Sequence, residues 1–444
     1  MFSFLHRIGH MTSSQIIILG FIVAILIGAL LLTLPFATND GKGASFSDAL
    51  FTATSAACVT GLVVQDTATY WSLFGQIVIL IMIQTGGMGV VTVAVLLAIL
   101  SGRKIGLMQR STMQESVSAP SPGGIIRFTG FILKTTLLIE LLGFFIMLPV
   151  FTKDFGLSGI WYAIFHSVSA FCNAGFDLMG VNAPYSSLTH YADNPVINIA
   201  IMILIITGGL GFLTWQDIRT NHIHIRKYKM QSKVILTVTT LLILFPALFF
   251  FFFEFHNLPL DERFWYSLFC SVSPRTAGFN TAQLTEMSES GTLLTIILML
   301  IGGSPGSTAG GMKTTTLAVL AVTSFSVFSH KESPHCFGRR ISEDIVKKAA
   351  AILMIYLTLF LAGGIFISLH ENTPILTALY ETASAIGTVG LTLGITPELG
   401  LSSRLVLILL MFFGRVGGLT LIFAALSDYH KESSKLPKEK ITVG

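Results

Sequence analysis

Four stretches decide the reading of this chain: LFTATSAACVTGL (50–62), IFHSVSAFCNAGF (164–176), LFCSVSPRTAGF (268–279) and LYETASAIGTVGL (379–391). Each has an aromatic near its start, continues with small residues on a helical stretch, and closes on a short tail ending in glycine and an apolar residue. All are too short to cross a bilayer, which takes about 20 apolar residues in a helix. The closing glycines, Gly61, Gly175, Gly278 and Gly390, lie 114, 103 and 112 positions apart, so a unit of about 110 residues repeats. A second marker keeps the same register. Gly-Gly pairs in QTGGMG (84–89), ITGGLG (206–211), IGGSPG (301–306) and RVGGLT (415–420) follow by 25, 33, 24 and 27 positions.

Long apolar runs flank these stretches, near 16–35, 72–100, 128–151, 195–215, 233–253, 291–328 (interrupted), 349–369 and 402–426. Each short stretch falls between the two members of a pair, so a unit reads as span, re-entrant half-helix, extended loop and span. The predicted fold is an all-α integral membrane protein. It has eight transmembrane helices and four re-entrant pore half-helices, arranged as four pseudo-symmetric repeats around one ion pore. The repeats are 1–110, 111–229, 230–330 with a broken last span containing the intramembrane loop 302–316, and 331–428; residues 429–444 form a C-terminal tail. Composition agrees. Of 444 residues 52% are hydrophobic and only 11% charged, against roughly 25% charged in soluble domains. A mean hydropathy of +0.76 excludes most soluble folds. The net charge of +4 comes from basic clusters in the linkers between units, including Arg103, Lys104, Arg219, Arg226, Lys227, Arg339 and Arg340. The positive-inside rule places these linkers and both termini in the cytoplasm, so the half-helices enter from outside. Cys58, Cys172, Cys270 and Cys336 show no CxxC pair, so neither a zinc site nor a disulfide framework is indicated.

Non-helical backbone at membrane depth is tolerated only where protein or water surrounds it. Four such loops must therefore share an interior, into which the half-helices direct their negative C-terminal ends, a setting that favours a cation. Carbonyls of Val59, Thr60, Gly61, Asn173, Ala174, Gly175, Thr276, Ala277, Gly278, Thr388, Val389 and Gly390 would then replace the water shell of an alkali ion. Glycine at each closing position permits backbone angles and a close approach that a Cβ forbids. Without a ring of carboxylates in these tails, K⁺ is the expected occupant and Ca²⁺ is not. Packing of small residues is the competing explanation for glycine in membrane helices, and it accounts for the Gly-Gly pairs better than for the loop glycines.

This plan, with one filter glycine per unit and the segment GGSPGSTAGGMKT (302–314), resembles the Trk/Ktr/HKT superfamily of potassium transporters, and most of all the membrane subunit of a bacterial Ktr uptake system. The resemblance covers nearly the whole chain. It implies K⁺ uptake down the electrochemical gradient, with K⁺ in the filter and Na⁺ as activator, in a bacterial cell membrane. It further implies a homodimer with one pore per subunit, served by a cytosolic RCK-type ring that binds nucleotides (ATP/ADP, NAD). Against the TVGYG of potassium channels only GTVGL comes close, so fewer ordered carbonyl layers and weaker or fewer ion sites are expected.

The sixth span is interrupted by Gly302, Gly303, Ser304, Pro305, Gly306, Ser307, Thr308, Ala309, Gly310, Gly311, Met312 and Lys313, a run that cannot be lipid-facing helix. The resemblance makes it a flexible gate under the filter. It fails the phosphate-loop pattern because Met312 separates Gly311 from Lys313. GGSPG matches GxSxG formally through Ser304, yet no strand precedes it. Arg415 stands alone as a charge within LLMFFGRVGGLTLIF (409–423), several residues from either end of the last span. Holding helix ends through carbonyls and raising a barrier to cations are the two roles open to it, and the resemblance implies the second. Arg275 and Glu381 are positioned to brace two repeats, or else to meet water. His166 reads as a packed residue, Lys134 and Glu140 receive no role, and FPALFFFFFEF (245–255) is a lipid or subunit face. The rival functions are a substrate-coupled transporter with discontinuous helices and an intramembrane enzyme, for which the spans offer no HExxH or paired-acid pattern.

Overall fold

The computed structural model describes residues 11–100, 106–117, 124–418 and 420, without the side chains of 97–100. The first unit holds α1 (Ser13–Leu32), α2 (Phe46–Ala57), α3 (Leu73–Met88) and α4 (Val90–Leu100), and α5 (Leu107–Ser116) leads out of it. Then come α6 (Ile125–Phe155), α7 (Ser158–Phe171), α8 (Pro195–Gly209) and α9 (Phe212–Asn221). The third unit contains α10 (Met230–Phe249), which runs into a π-turn over Phe250–Glu254, followed by α11 (Leu260–Val272), α12 (Glu289–Leu300) and α13 (Thr314–Phe328). A small antiparallel hairpin, β1 (His335–Cys336) with β2 (Arg339–Arg340), precedes α14 (Glu343–Glu371), α15 (Ile375–Gly387) and α16 (Leu401–Val416).

Four helices are long and apolar enough to cross a membrane: Ser13–Leu32, Ile125–Phe155, Met230–Glu254 and Glu343–Glu371. Most of their side chains face outward, and an apolar surface of that extent is stable only against lipid. The chain is an all-α, multi-pass membrane protein. Polar residues start the helices that follow the loops: Ser72, Asn194 and Ser288 each accept a backbone amide of α3, α8 and α12, which satisfies groups that the first helical turn leaves open.

The expectation of eight full-length spans needs correction. The runs 72–100 and 195–215 are not continuous helices, because α3 and α4 meet at 97° and α8 and α9 at 96°. Gly89 and Gly211 sit at the corners with φ of 87° at both, a left-handed conformation in which the helical hydrogen-bond ladder stops. Gly417 ends α16 with almost the same angles, φ 89° and ψ 131°. Residues 419 and 421–426 of the expected last span lie outside the described residues. The third unit departs differently, with α12 and α13 separated by the irregular run over 301–313, as the glycines of that segment lead one to expect.

Packing explains how the short helices are held. In α2, Ala53, Ala56 and Ala57 are buried, as are Ala378, Ala383 and Ala385 in α15, so small side chains let neighbouring backbones approach. Helix α3 packs on α7, α8 on α11, α12 on α15, and α16 returns to α2. The helix after each loop thus lies on the half-helix of the next unit, and the series closes on itself. At the closure Arg404 Nη1 meets Asp48 Oδ1 at 2.7 Å, the only ion pair among the described residues. Near the start of α2, outside the spans, the Thr38 hydroxyl holds the Asp40 carboxyl below the usual carboxylate range, helped by the Lys42 amide.

Candidate functional site

The four loop tails share one backbone. Val59, Asn173, Thr276 and Thr388 have φ of 58°, 57°, 69° and 52°, and two residues later Gly61, Gly175, Gly278 and Gly390 have φ of 90°, 69°, 78° and 97°. Thr60, Ala174, Ala277 and Val389 between them keep negative φ. Successive carbonyls of a strand point to opposite sides, whereas alternation between the two handed regions turns them to one side. The tails are therefore built to line up oxygens.

Neighbouring tails touch in a closed cycle. A Cβ on Gly61 would strike Ala174 O, one on Gly175 would lie 2.8 Å from Ala277 O, one on Gly278 would strike Val389 O, and one on Gly390 would strike Thr60 O. Only glycine fits at these four positions. The amides of the tails are turned back into the protein: Thr60 N donates to Ser55 O, Ala174 N to Ser169 O and Val389 N to Ser384 O, all at 2.8 Å, and Ala277 N donates to Ser273 O at 3.0 Å. Side chains complete the frame. Ser55 Oγ accepts from Gly61 N and Ser384 Oγ from Gly390 N, at 3.1 and 3.0 Å, while Ser169 Oγ donates to Phe176 O at 2.7 Å.

The oxygens are treated differently. All twelve residues 59–61, 173–175, 276–278 and 388–390 are buried, yet none of their carbonyls accepts a hydrogen bond among the described residues. Buried backbone carbonyls are almost always paired. A cluster of twelve left open, facing the C-terminal ends of α2, α7, α11 and α15, is an oxygen-lined site that suits a cation whose water has been removed.

The irregular run 301–313 lies directly against this cluster. Its two ends are joined, Gly302 N donating to Met312 O at 2.7 Å and Thr314 N to Gly303 O at 3.0 Å. Thr308 Oγ1 donates to Phe171 O at 3.0 Å and to Asn173 Oδ1 at 3.1 Å, and a Cβ on Gly310 would collide with the Thr388 side chain. Ser304 N and Thr308 N reach the end of α8 at Gly209 O and Gly208 O, 3.0 and 3.3 Å away, and Gly311 N reaches Gly414 O at 3.1 Å. Gly306 O accepts from Phe212 N at 2.8 Å. Ser307 Oγ donates to Ser304 O at 2.6 Å, beside the partly buried Pro305. Lys313 Nζ donates to Ala309 O at 2.8 Å, which curls the run onto itself. Arg415 holds it from the other side, with Nη1 donating to Thr308 O and Nη2 to Gly86 O and Gly87 O. Beyond lies a cavity of about 280 Å³ that Lys313, Arg415 and Glu115 border.

The sequence-predicted residues therefore come together, in part as foreseen. Arg415 performs the carbonyl-holding role, and it also faces the cavity. The brace between Arg275 and Glu381 is not formed. Glu381 accepts from Leu393 N and from the hydroxyls of Thr392 and Thr396 in its own unit, and Arg275 Nη2 reaches Thr239 Oγ1 at 3.4 Å in its own. Glu381 already has three donors in its own unit and does not turn to Arg275, whose Nε is buried without a partner among the described residues. Among the described residues Ser304 Oγ meets only the Thr314 hydroxyl, at 3.2 Å, and no base stands beside it. His166 is packed, Nδ1 to Tyr162 O at 2.7 Å and Nε2 accepting from Leu178 N at 3.3 Å. Glu140 is buried and Lys134 exposed, on different faces of α6. The first two Gly-Gly pairs serve packing: Cβ atoms on Gly86 and Gly208 would strike Ala57 O and Phe171 O, and in the last unit it is Gly414, ahead of the pair, whose Cβ would strike Ile386 O. Sequence reading missed the serines that hold the tails, although Ser55, Ser169 and Ser384 all stand six residues before their glycine.

Fold and site together define a membrane protein built around one buried, oxygen-lined point where four loops of a single chain meet. The chain belongs to the TrkH family of cation transport proteins, whose family model matches residues 4–435. It is 40% identical over 442 residues to a potassium/sodium uptake protein, NtpJ, of Enterococcus hirae, covering 97% of both chains. Identity to Ktr system potassium uptake protein B of Bacillus subtilis is 39%, over 93% of both. Among solved structures, the potassium transporter TrkH of Vibrio parahaemolyticus superposes with a TM-score of 0.70 at 21% identity, over 91% of this chain and 84% of that one, a likeness of fold. The family is one of Trk/Ktr-type transporters, not enzymes.

Proposed function

We propose that the chain conducts K⁺ into the cell through the point where its four loops meet. In this reading eight membrane crossings, three of them bent or broken, form four pseudo-symmetric units around one pore, with both termini and the basic linkers in the cytoplasm. The twelve unpaired buried carbonyls carry the reading, because an ordinary protein interior does not leave such a cluster open. Residues 59–61, 173–175, 276–278 and 388–390 act as the selectivity filter. Inward flow follows from the membrane potential, worth about 2.3 kcal/mol per charge per 100 mV.

The run 302–313 together with Arg415 is the gate in this proposal. Its contacts with Asn173 and Thr388 support a role in conduction, since any shift of the run alters the filter's immediate neighbours. We extend the reading to Na⁺ activation, a homodimer, and control by a cytosolic nucleotide-binding ring acting through the basic linkers, each resting on the family resemblance. The test is K⁺ and Na⁺ flux in vesicles containing the purified protein. Wild type should favour K⁺, and Gly278→Ser with Gly390→Ser should erase the preference while the protein elutes as before. An unaltered preference in that eluting variant removes the filter assignment.

A further inference from the structure

A second site stands on the outer face of the molecule, away from the pore. Helix α6 and the elbow between α8 and α9 enclose an apolar groove of about 960 Å³. Leu138, Leu142 and Ile146 form one wall and Ile199 and Ile203 the other, all with 44–59% of their surface open. Gly143 at its floor lets α6 approach α8, since a Cβ there would strike the Leu204 and Ser167 side chains. The bend at Gly211 swings α9 across one end, where Trp215 seats its ring with Nε1 donating to Thr207 O at 2.9 Å. No polar hydrogen of that ring is left to ask for water.

Charge appears only at the elbow. Arg219 and His222 rim the groove there, and the Arg219 guanidinium lies 5.5 Å from the Phe131 ring centroid. The following segment adds Arg226, Lys227, Lys229 and Lys233, against a single acid, Asp217. That carboxylate is already occupied by Asn221 Nδ2 at 2.7 Å and by the Lys229 amide at 2.8 Å. None of these basic groups makes an ion pair within the described residues.

We infer that the groove binds an anionic phospholipid, with an acyl chain along α6 and α8 and the phosphate on Arg219 and His222. The surrounding solvent of a lipid-facing groove is hydrocarbon, so a furrow without polar lining is filled by a chain. The α9 elbow then puts cations that make no ion pair among the described residues at the depth where the headgroup begins, and an arginine fork matches phosphate oxygens in pairs. Basic pockets between membrane helices favour anionic headgroups for the same reason. The inference uses the proposed orientation only to assign the lipid to the inner leaflet.

Trp215 supplies the probe. The protein is placed in phosphatidylcholine vesicles in which either phosphatidylglycerol or phosphatidylcholine carries brominated chains, and the Trp215 signal is taken as the difference from Trp215→Phe. Brominated phosphatidylglycerol should quench at a lower mole fraction than brominated phosphatidylcholine. Arg219→Gln should weaken that preference roughly fivefold, the weight of one basic group at an anionic surface, while the protein elutes as before. Equal quenching by the two lipids, which marks ordinary boundary lipid, overturns the inference. So does quenching by neither, which means that protein covers the groove. Both leaflets hold the lipid in this assay, so orientation does not enter. It is read separately from labelling of Ile223→Cys, over the parent, by an impermeant thiol reagent on intact cells.

Discussion

Three of the four left-handed loop residues, Val59, Thr276 and Thr388, are β-branched, the class that avoids positive φ most strongly. Each such residue stores about 1–3 kcal/mol of strain that its surroundings must hold. The serine frame is one such restraint. Ser384→Ala deprives the Gly390 amide of its acceptor, at a cost of about 1–3 kcal/mol for a buried donor, and K⁺/Na⁺ preference in vesicles should fall while the protein still elutes as one species. Arg415→Gln removes donors from Thr308 O and Gly86 O; single-vesicle flux should rise, and an unchanged flux would count against the gate. The loop glycines were legible in sequence because they obey a local rule. The left-handed residues were hidden because they break one: the ring imposes φ on side chains whose own preference lies elsewhere. Arg275 and Glu381 show the matching limit for charge, since a sequence reveals two opposite charges and not the nearer hydroxyls that take them.

At the scale of elements, the bends decide where the helices stop facing lipid. Hydropathy could not disclose the first of them, because α4 is as apolar as α3 and a plot of apolar content passes through the corner; at the second, the polar sequence of α9 shows only that the apolar run ends. The only sign is a third glycine, in TGGMG and TGGLG. Gly211→Ala forces a Cβ onto left-handed backbone, worth about 1–2 kcal/mol, and sets that Cβ 2.7 Å from Pro305 O in the irregular run. Gly41→Ala, at φ 68° with nothing within 4 Å, bears the backbone cost alone. Thermal unfolding of the two purified variants should place Gly211→Ala lower. Removing residues from within 303–311 frees the ends that Gly302 N and Met312 O now join, and K⁺ flux should increase strongly.

For the whole molecule, the cyclic packing turns four unequal units into one enclosure. That four loops meet was legible from their shared grammar, but the link between the first and last elements was not, because Asp48 and Arg404 are separated by most of the chain. Both side chains are partly exposed, so a double-mutant cycle of Asp48→Ala and Arg404→Ala should give a coupling of only about 0.2–1 kcal/mol, measured by denaturation in detergent. Burial of α2 under α16 does most of the closing. Because a single polypeptide supplies all four walls of the oxygen-lined site, each wall can be edited by itself, which an assembly of identical subunits does not allow. Serine placed at one, two, three and then four of the loop glycines would yield a dosage series, from which one reads whether discrimination fades in proportion to the oxygens disturbed or collapses at the first.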